Sequence, residues 1–387
     1  MGTTVSKPVQ VDVPAEWRAR CDVTKISQQN RGEYIPLHDD YLKAFGTVKE
    51  VDFTIYFAVG WDLYEFMRPK EFSHELLKEM LLKHKEYPTA TRICVKKSDF
   101  GRYEKLVEKY RRDKFIAASK GASLKLETTY RLYSELSVVS HTMMRGYLDH
   151  ESYLRISRVA SSAVMGMPST KDCVGFILQI VGHEPALYDH GACTALLTSC
   201  IAWNSLKLGK REAKLAVQSA LMHDIERNCA YLGKPSDPFK ISDNAIKDLE
   251  KALAAKQGFH EVNLQVMKQY RERYDGRGYP ERLQNEFELG YPLGIVRPAR
   301  IVSFACAFSE YMLKRQEKAP LSMETILRLI DERVKKGEFD PKVVSAFLTD
   351  LATGAVRKPT DVAKDDDAEG DSENDEEEFD LDSSDYM

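Results

Sequence analysis

The pair His223-Asp224 puts an imidazole beside a carboxylate at the end of a stretch, Glu212–Met222, that reads as a helix. About fifty residues later stands Tyr274-Asp275-Gly276-Arg277-Gly278-Tyr279-Pro280. Gly276 and Gly278 allow a positive φ, and Pro280 stops the preceding helix from continuing, so this run predicts a rigid turn. The His-Asp pair has two uses open to it. The groups can hydrogen-bond each other in a core, or they can serve as ligands of a divalent ion. Tyr270, Tyr274 and Tyr279 can equally be packing aromatics.

The elements that must position these groups read as helices. Leu124–Leu148 has long apolar spacing and no proline, and Ser169-Thr170-Lys171-Asp172 resembles a capping box ahead of Cys173–Val181. Tyr188–Leu208, Glu212–Met222, Asp243–Lys256, Glu261–Arg273, Arg297–Arg315 and Met323–Lys335 follow. Upstream, Val51–Phe57 alternates like a strand and Thr91–Val95 is a second one. Helices are expected over Ser73–His84, with Ser73 as N-cap, and over Tyr103–Tyr110. The expected fold is α+β. A flexible lead-in (1–33) precedes a small α/β domain (34–118), a helical connector (119–168), an all-α domain (169–356) and a disordered acidic tail (357–387).

Composition sets limits on function. The chain has 387 residues, 43% of them hydrophobic, enough for more than one core. Mean hydropathy is −0.43 and no long apolar run occurs, so no membrane association is expected. No charged segment followed by an apolar stretch opens the chain, so no secretory leader is expected. Seven cysteines at irregular spacing, none in a CxxC pair, point to reduced thiols in the cytoplasm. The net charge of −4 conceals an asymmetry: residues 361–387 carry −13, leaving +9 on the rest. The basic residues are scattered along helices without interleaved aromatics, which speaks against nucleic-acid binding. The acidic tail reads as a solubilising segment or as a mobile competitor for a basic surface.

His-Asp, followed at this distance by Asp275-Gly276-Arg277-Gly278-Tyr279-Pro280, resembles the HD-GYP family of bacterial cyclic-di-GMP phosphodiesterases. The resemblance covers roughly residues 165–315. It implies an HD-type helical bundle whose imidazoles and carboxylates hold two or three divalent metals, which activate water against a phosphodiester. It sets His190 at the family's first helix-borne His and Arg227 at a Lys that contacts substrate phosphate. It sets Gly278, Tyr279 and Pro280 at the loop associated with GGDEF-type cyclases, and Arg300 on the following helix. Relatives often form homodimers through the helical connector.

The chain also departs from the family. Tyr270-Arg271 stands where the family has two His, and Cys306 where it has an Asp. Ala186 precedes His190 where some members have Glu, and no His lies between Ile241 and Leu253. His190, His223 and Asp224 alone remain of the family's ligands, too few to hold two hard cations close together. Arg271 would then replace the metal as a fixed cation paired with Asp224. The alternative is a single Fe, Mn or Zn ion on His190, His223, Asp224 and Cys306.

Two functions follow from the resemblance. The first is a non-catalytic signalling protein in cyclic-di-GMP pathways, without a cofactor and with His223 and Asp224 as catalytic remnants. It would hold a cyclic dinucleotide on Arg227, Arg271 and Arg277, or meet a GGDEF-type partner through Gly278, Tyr279 and Pro280. The second is a metal-dependent phosphodiesterase working with a reduced site.

Overall fold

The computed structural model describes residues 11–27, 30, 33–37, 39–88, 90–118, 124–143, 150–183, 189–224, 250–251, 255, 258–283, 294–313, 315–316 and 319–354. The expectations for the acidic tail, for Ala186 and Arg227, and for most of the helix Asp243–Lys256 fall outside these residues.

The N-terminal part is built on a five-stranded antiparallel sheet of order β1-β4-β3-β5-β2. Its strands are β1 (Val23–Lys25), β2 (Tyr34–Pro36), β3 (Ile55–Val59), β4 (Asp62–Met67) and β5 (Thr91–Lys96). Helices α1 (Ala15–Arg20), α2 (His74–Glu86) and α3 (Phe100–Ala118) belong to the same unit. α2 starts where the sequence places it, because Ser73 Oγ accepts from Leu76 N at 3.2 Å. Part of the expected flexible lead-in is structured. Trp17 on α1 is 2% exposed and packs edge-on against Phe57 and Phe66, with centroids 5.2 and 4.5 Å away. Burying so large an apolar ring is worth more than a six-residue helix can supply by propensity, so Trp17 is what fixes α1.

The remaining helices form one continuous core. They are α4 (Leu124–Met143), α5 (His150–Met165), α6 (Thr170–His183), α7 (His190–Ser199), α8 (Lys210–Met222), α9 (Glu261–Gln269), α10 (Arg297–Leu313), α11 (Met323–Lys335) and α12 (Pro341–Thr353). α7 runs on as a π-helical turn over Cys200–Ser205. A two-stranded ribbon, β6 (Arg315–Gln316) and β7 (Ala319–Pro320), lies between α10 and α11, so this part is not purely helical. The expected connector is not a separate element. Tyr133, Leu136 and Val139 of α4 and Ile156 and Ala160 of α5 are buried in the same cluster as α7, α8 and α10. Phe304 and Phe308 of α10 meet Phe347 of α12 at 5.3 and 5.0 Å, closing that core from the C-terminal side. Among the described residues no helix is long and apolar enough to cross a membrane.

Candidate metal centre

Three helices deliver the site. α7 begins at His190 because Asp189 caps it: its Oδ1 accepts from Ala192 N at 3.0 Å. Asp189 is itself held by α4, accepting from Ser137 Oγ at 2.6 Å while its backbone N donates to the Tyr133 hydroxyl at 2.7 Å. α8 ends at Met222, which leaves His223 and Asp224 at its C-terminal tip. α10 contributes Cys306 and Ser309, three residues apart and so on one helical face.

The donor atoms converge. His190 Nε2 lies 3.4 Å from His223 Nε2 and 3.4 Å from Cys306 Sγ. Asp224 Oδ2 is 3.6 Å from each of the two imidazole Nε2 atoms. The ligand atoms of His190, His223 and Cys306 all fall within 4.8 Å of one another. His223 Nδ1 sits 2.6 Å from the carbonyl of Ala220, which can only accept, so Nδ1 carries the proton and Nε2 presents its lone pair. His190 Nδ1 is 3.3 Å from Ser309 Oγ, which permits the same tautomer. Such partners on Nδ1 are what orient ligating histidines.

Two imidazole nitrogens and a sulfur facing one point, with a carboxylate beside the imidazoles, repel each other unless protons or a metal cation lie among them. Zinc–ligand bond lengths imply tetrahedral edges of about 3.3 Å between two nitrogens and about 3.6 Å between nitrogen and sulfur. The His190–His223 and His190–Cys306 separations match those edges to within a few tenths of an ångström. His190, His223 and Cys306 therefore fit one zinc-class ion, with the Asp224 carboxylate beside the two imidazoles. They do not fit a pair of ions, for which six or more donors are needed.

Tyr270 and Arg271 form the rim. The Tyr270 hydroxyl donates to Asp224 Oδ1 at 3.4 Å and accepts from Arg271 Nε at 2.8 Å. Its ring stands perpendicular to the His223 imidazole, with centroids 5.2 Å apart. Burial first, and then the Asp224 charge, push the phenol well above its ordinary range, so it stays a hydrogen-bond donor. The expected direct pair between Arg271 and Asp224 is not formed. Arg271 follows Tyr270 in the turn after α9, so its guanidinium stacks on the Tyr270 ring at 5.0 Å and reaches Asp224 only through the phenol. Tyr270 is thus a link in the site and not only a packing aromatic.

The Gly-Tyr-Pro loop is rigid, for a reason the sequence shows only in part. Gly276 has φ +75°, as expected, but Gly278 is required by close approach instead. A Cβ there would lie 2.2 Å from Arg273 N and 2.4 Å from Glu272 Cα. Glu272, 3% exposed, grips the loop: its carboxylate accepts from the backbone N of Glu281, Arg282 and Leu283 at 2.6, 3.1 and 3.1 Å. Arg273 pairs with both oxygens of Asp275 at 3.0 and 2.8 Å, which holds that carboxyl below its ordinary range. Gly278→Ala is therefore expected to destabilise the loop by about 2 kcal/mol or more, because the clash is with backbone that cannot step aside. Hydrogen exchange at Glu281–Leu283 would report it, and unchanged protection there would contradict the packing.

Of the residues singled out in the sequence, the structure brings His190, His223, Asp224, Cys306 and Arg271 together. Arg277, with a side chain 81% exposed, and Tyr279, 67% exposed, project from the loop instead of lining the site. Arg300 is structural: it pairs with Asp340, the N-cap of α12, and its Nε donates to the Ile295 carbonyl at 3.2 Å. Ser309 had no signal of its own beyond its spacing from Cys306. His260 caps α9, its Nδ1 accepting from Val262 N at 3.1 Å.

No protein-family model matches the chain, and no curated protein matches it. Among solved structures it is similar to Bd1817, described as a HDG"Y"P protein from Bdellovibrio bacteriovorus. The TM-score is 0.47 and the identity 16%, over 83% of this chain and 100% of that chain.

Proposed function

We propose that this is a non-hydrolytic HD-GYP-like signalling protein of the cytoplasm that keeps one zinc-class ion as a structural centre and acts by binding. The observation that carries the proposal is the convergence of His190, His223 and Cys306 on one point, with Asp224 against the two imidazoles. With Asp224 drawn in as the fourth ligand the tetrahedral shell would be complete, whereas hydrolytic zinc sites keep a position open for water. The ion would thus tie α7, α8 and α10 together. When bound it supplies positive charge that neutralises the converging lone pairs. The residues around it do the rest: Ala220 and Ser309 orient the imidazoles, and Tyr270 positions Asp224.

The exposed Arg277 and Tyr279, on a loop anchored by Glu272, suit contact with a partner of the GGDEF type. The alternative is a reduced phosphodiesterase. It is favoured by the 24% exposure of the His190 side chain, which leaves the centre open to solvent on one side. A hydrolysis assay separates the two. The zinc-loaded, iron-loaded and manganese-loaded protein is expected to leave cyclic-di-GMP intact over hours, and turnover with any of the three metals would overturn the non-hydrolytic reading.

A further inference from the structure

Arg111 on α3 is 0% exposed, and among the described residues its Nε, Nη1 and Nη2 have no hydrogen-bond partner. A guanidinium cannot shed its charge by deprotonation, so this is a fixed buried cation. Two aromatic rings pack against it. Cζ lies 5.3 Å from the ring centroid of Tyr41 and 5.1 Å from that of Tyr133. Such cation–π contacts offset part of the desolvation but leave all five N–H donors unmet. The nearby carboxylate, Asp189, already accepts from Ser137 at 2.6 Å, Ser140 at 3.4 Å and Ala192 N at 3.0 Å. Ser134 Oγ on α4 is also buried, beside the Tyr130 hydroxyl.

With two rings packed against the guanidinium, its unpartnered N–H edge remains for a ligand. That edge is a planar fork of donors, the geometry that carboxylates and phosphates accept in bidentate fashion. We propose that Arg111 is the anchor of a small-oxyanion site between the sheet-bearing part and the helical core. Tyr41 and Arg111 come from the first part, and Tyr133 and Ser134 from the second, so an anion there would clamp the two together. The site also leads toward the metal centre. The Tyr41 hydroxyl bonds to Ser137, Ser137 donates to Asp189, and Asp189 caps the helix that begins with His190.

The test is thermal unfolding of the full chain at constant ionic strength, with inorganic phosphate and acetate titrated separately. Wild type is expected to show a saturable rise of roughly 4 °C or more with at least one of them. Arg111→Met is expected to fold, since removing an unpaired buried charge is neutral or stabilising, and to show no rise. A flat wild type with both anions, or an equal rise in Arg111→Met, would overturn the proposal. If Arg111→Met does not fold, calorimetric titration of phosphate and acetate into Arg271→Ala decides. One-site binding that survives loss of the other cation supports the Arg111 site, and no binding of either anion overturns it. A crystal structure grown with the bound anion that shows only water on the guanidinium would overturn it as well.

Discussion

Replacing Cys306 by Ala is expected to lower zinc affinity by at least about 100-fold, because removing a ligand should cost more than removing the groups that orient one. The sulfur is 3.4 Å from His190 Nε2, and both stand on buried helices that cannot close the gap its loss would leave. Cys306→Asp keeps a fourth donor and is expected to retain most of the affinity while shifting preference from zinc toward manganese and iron. Affinity should fall with pH for every variant, since protons compete for the same lone pairs. Competition against a chromophoric chelator measures all of this. Equal affinity in wild type and Cys306→Ala would place the thiol outside the centre.

Arg300→Ala is expected to cost the helical core about 3–5 kcal/mol, the range for breaking a buried ion pair by removing one partner. The Arg300 and Asp340 side chains are 9% and 1% exposed, so solvent does not screen the pair. Asp340 also starts α12 by accepting from Lys342 N at 2.9 Å, and α12 carries Phe347 into the core against Phe304 and Phe308. Removing Arg300 therefore leaves an unpaired carboxylate under the helix that closes the core. The double variant Arg300→Met, Asp340→Asn is expected to recover most of the loss, because neither buried charge remains. Urea denaturation followed by near-ultraviolet circular dichroism reads both. A loss below about 1 kcal/mol for Arg300→Ala would mean that the pair behaves like a surface one.

Local signals made some elements legible in the sequence. α11 spans Met323–Lys335 as expected, because Ser322 caps it and a lysine ends it. Ser73 and Ser169 likewise mark helix starts, the latter accepting from Asp172 N at 3.1 Å. α12 had readable signals too: Asp340-Pro341 at its start and Gly354, with φ +66°, at its end. β4 was hidden because Asp62 and Glu65 interrupt its apolar residues, and only pairing with β3 and β1 makes it a strand. The expected helix Glu261–Arg273 stops at Gln269 because the next residues turn to grip the Gly-Tyr-Pro loop through Glu272.

The candidate site divides in the same way. His223-Asp224 and the glycine-rich loop stand out as strings, so the sequence marks them. The fourth donor depends on how α7 and α10 pack, and spacing along the chain does not carry that information. Arg111 looks in sequence like any basic residue on an amphipathic helix, and only its burial between Tyr41 and Tyr133 separates it from the rest.

The most direct test of the centre is elemental mass spectrometry on protein purified without chelator or added metal. Close to one equivalent of zinc, iron or manganese per chain is the expected result, falling sharply in His223→Ala. Less than about a tenth of an equivalent, with no uptake from a zinc-containing buffer, would contradict a metal centre at His190, His223, Asp224 and Cys306.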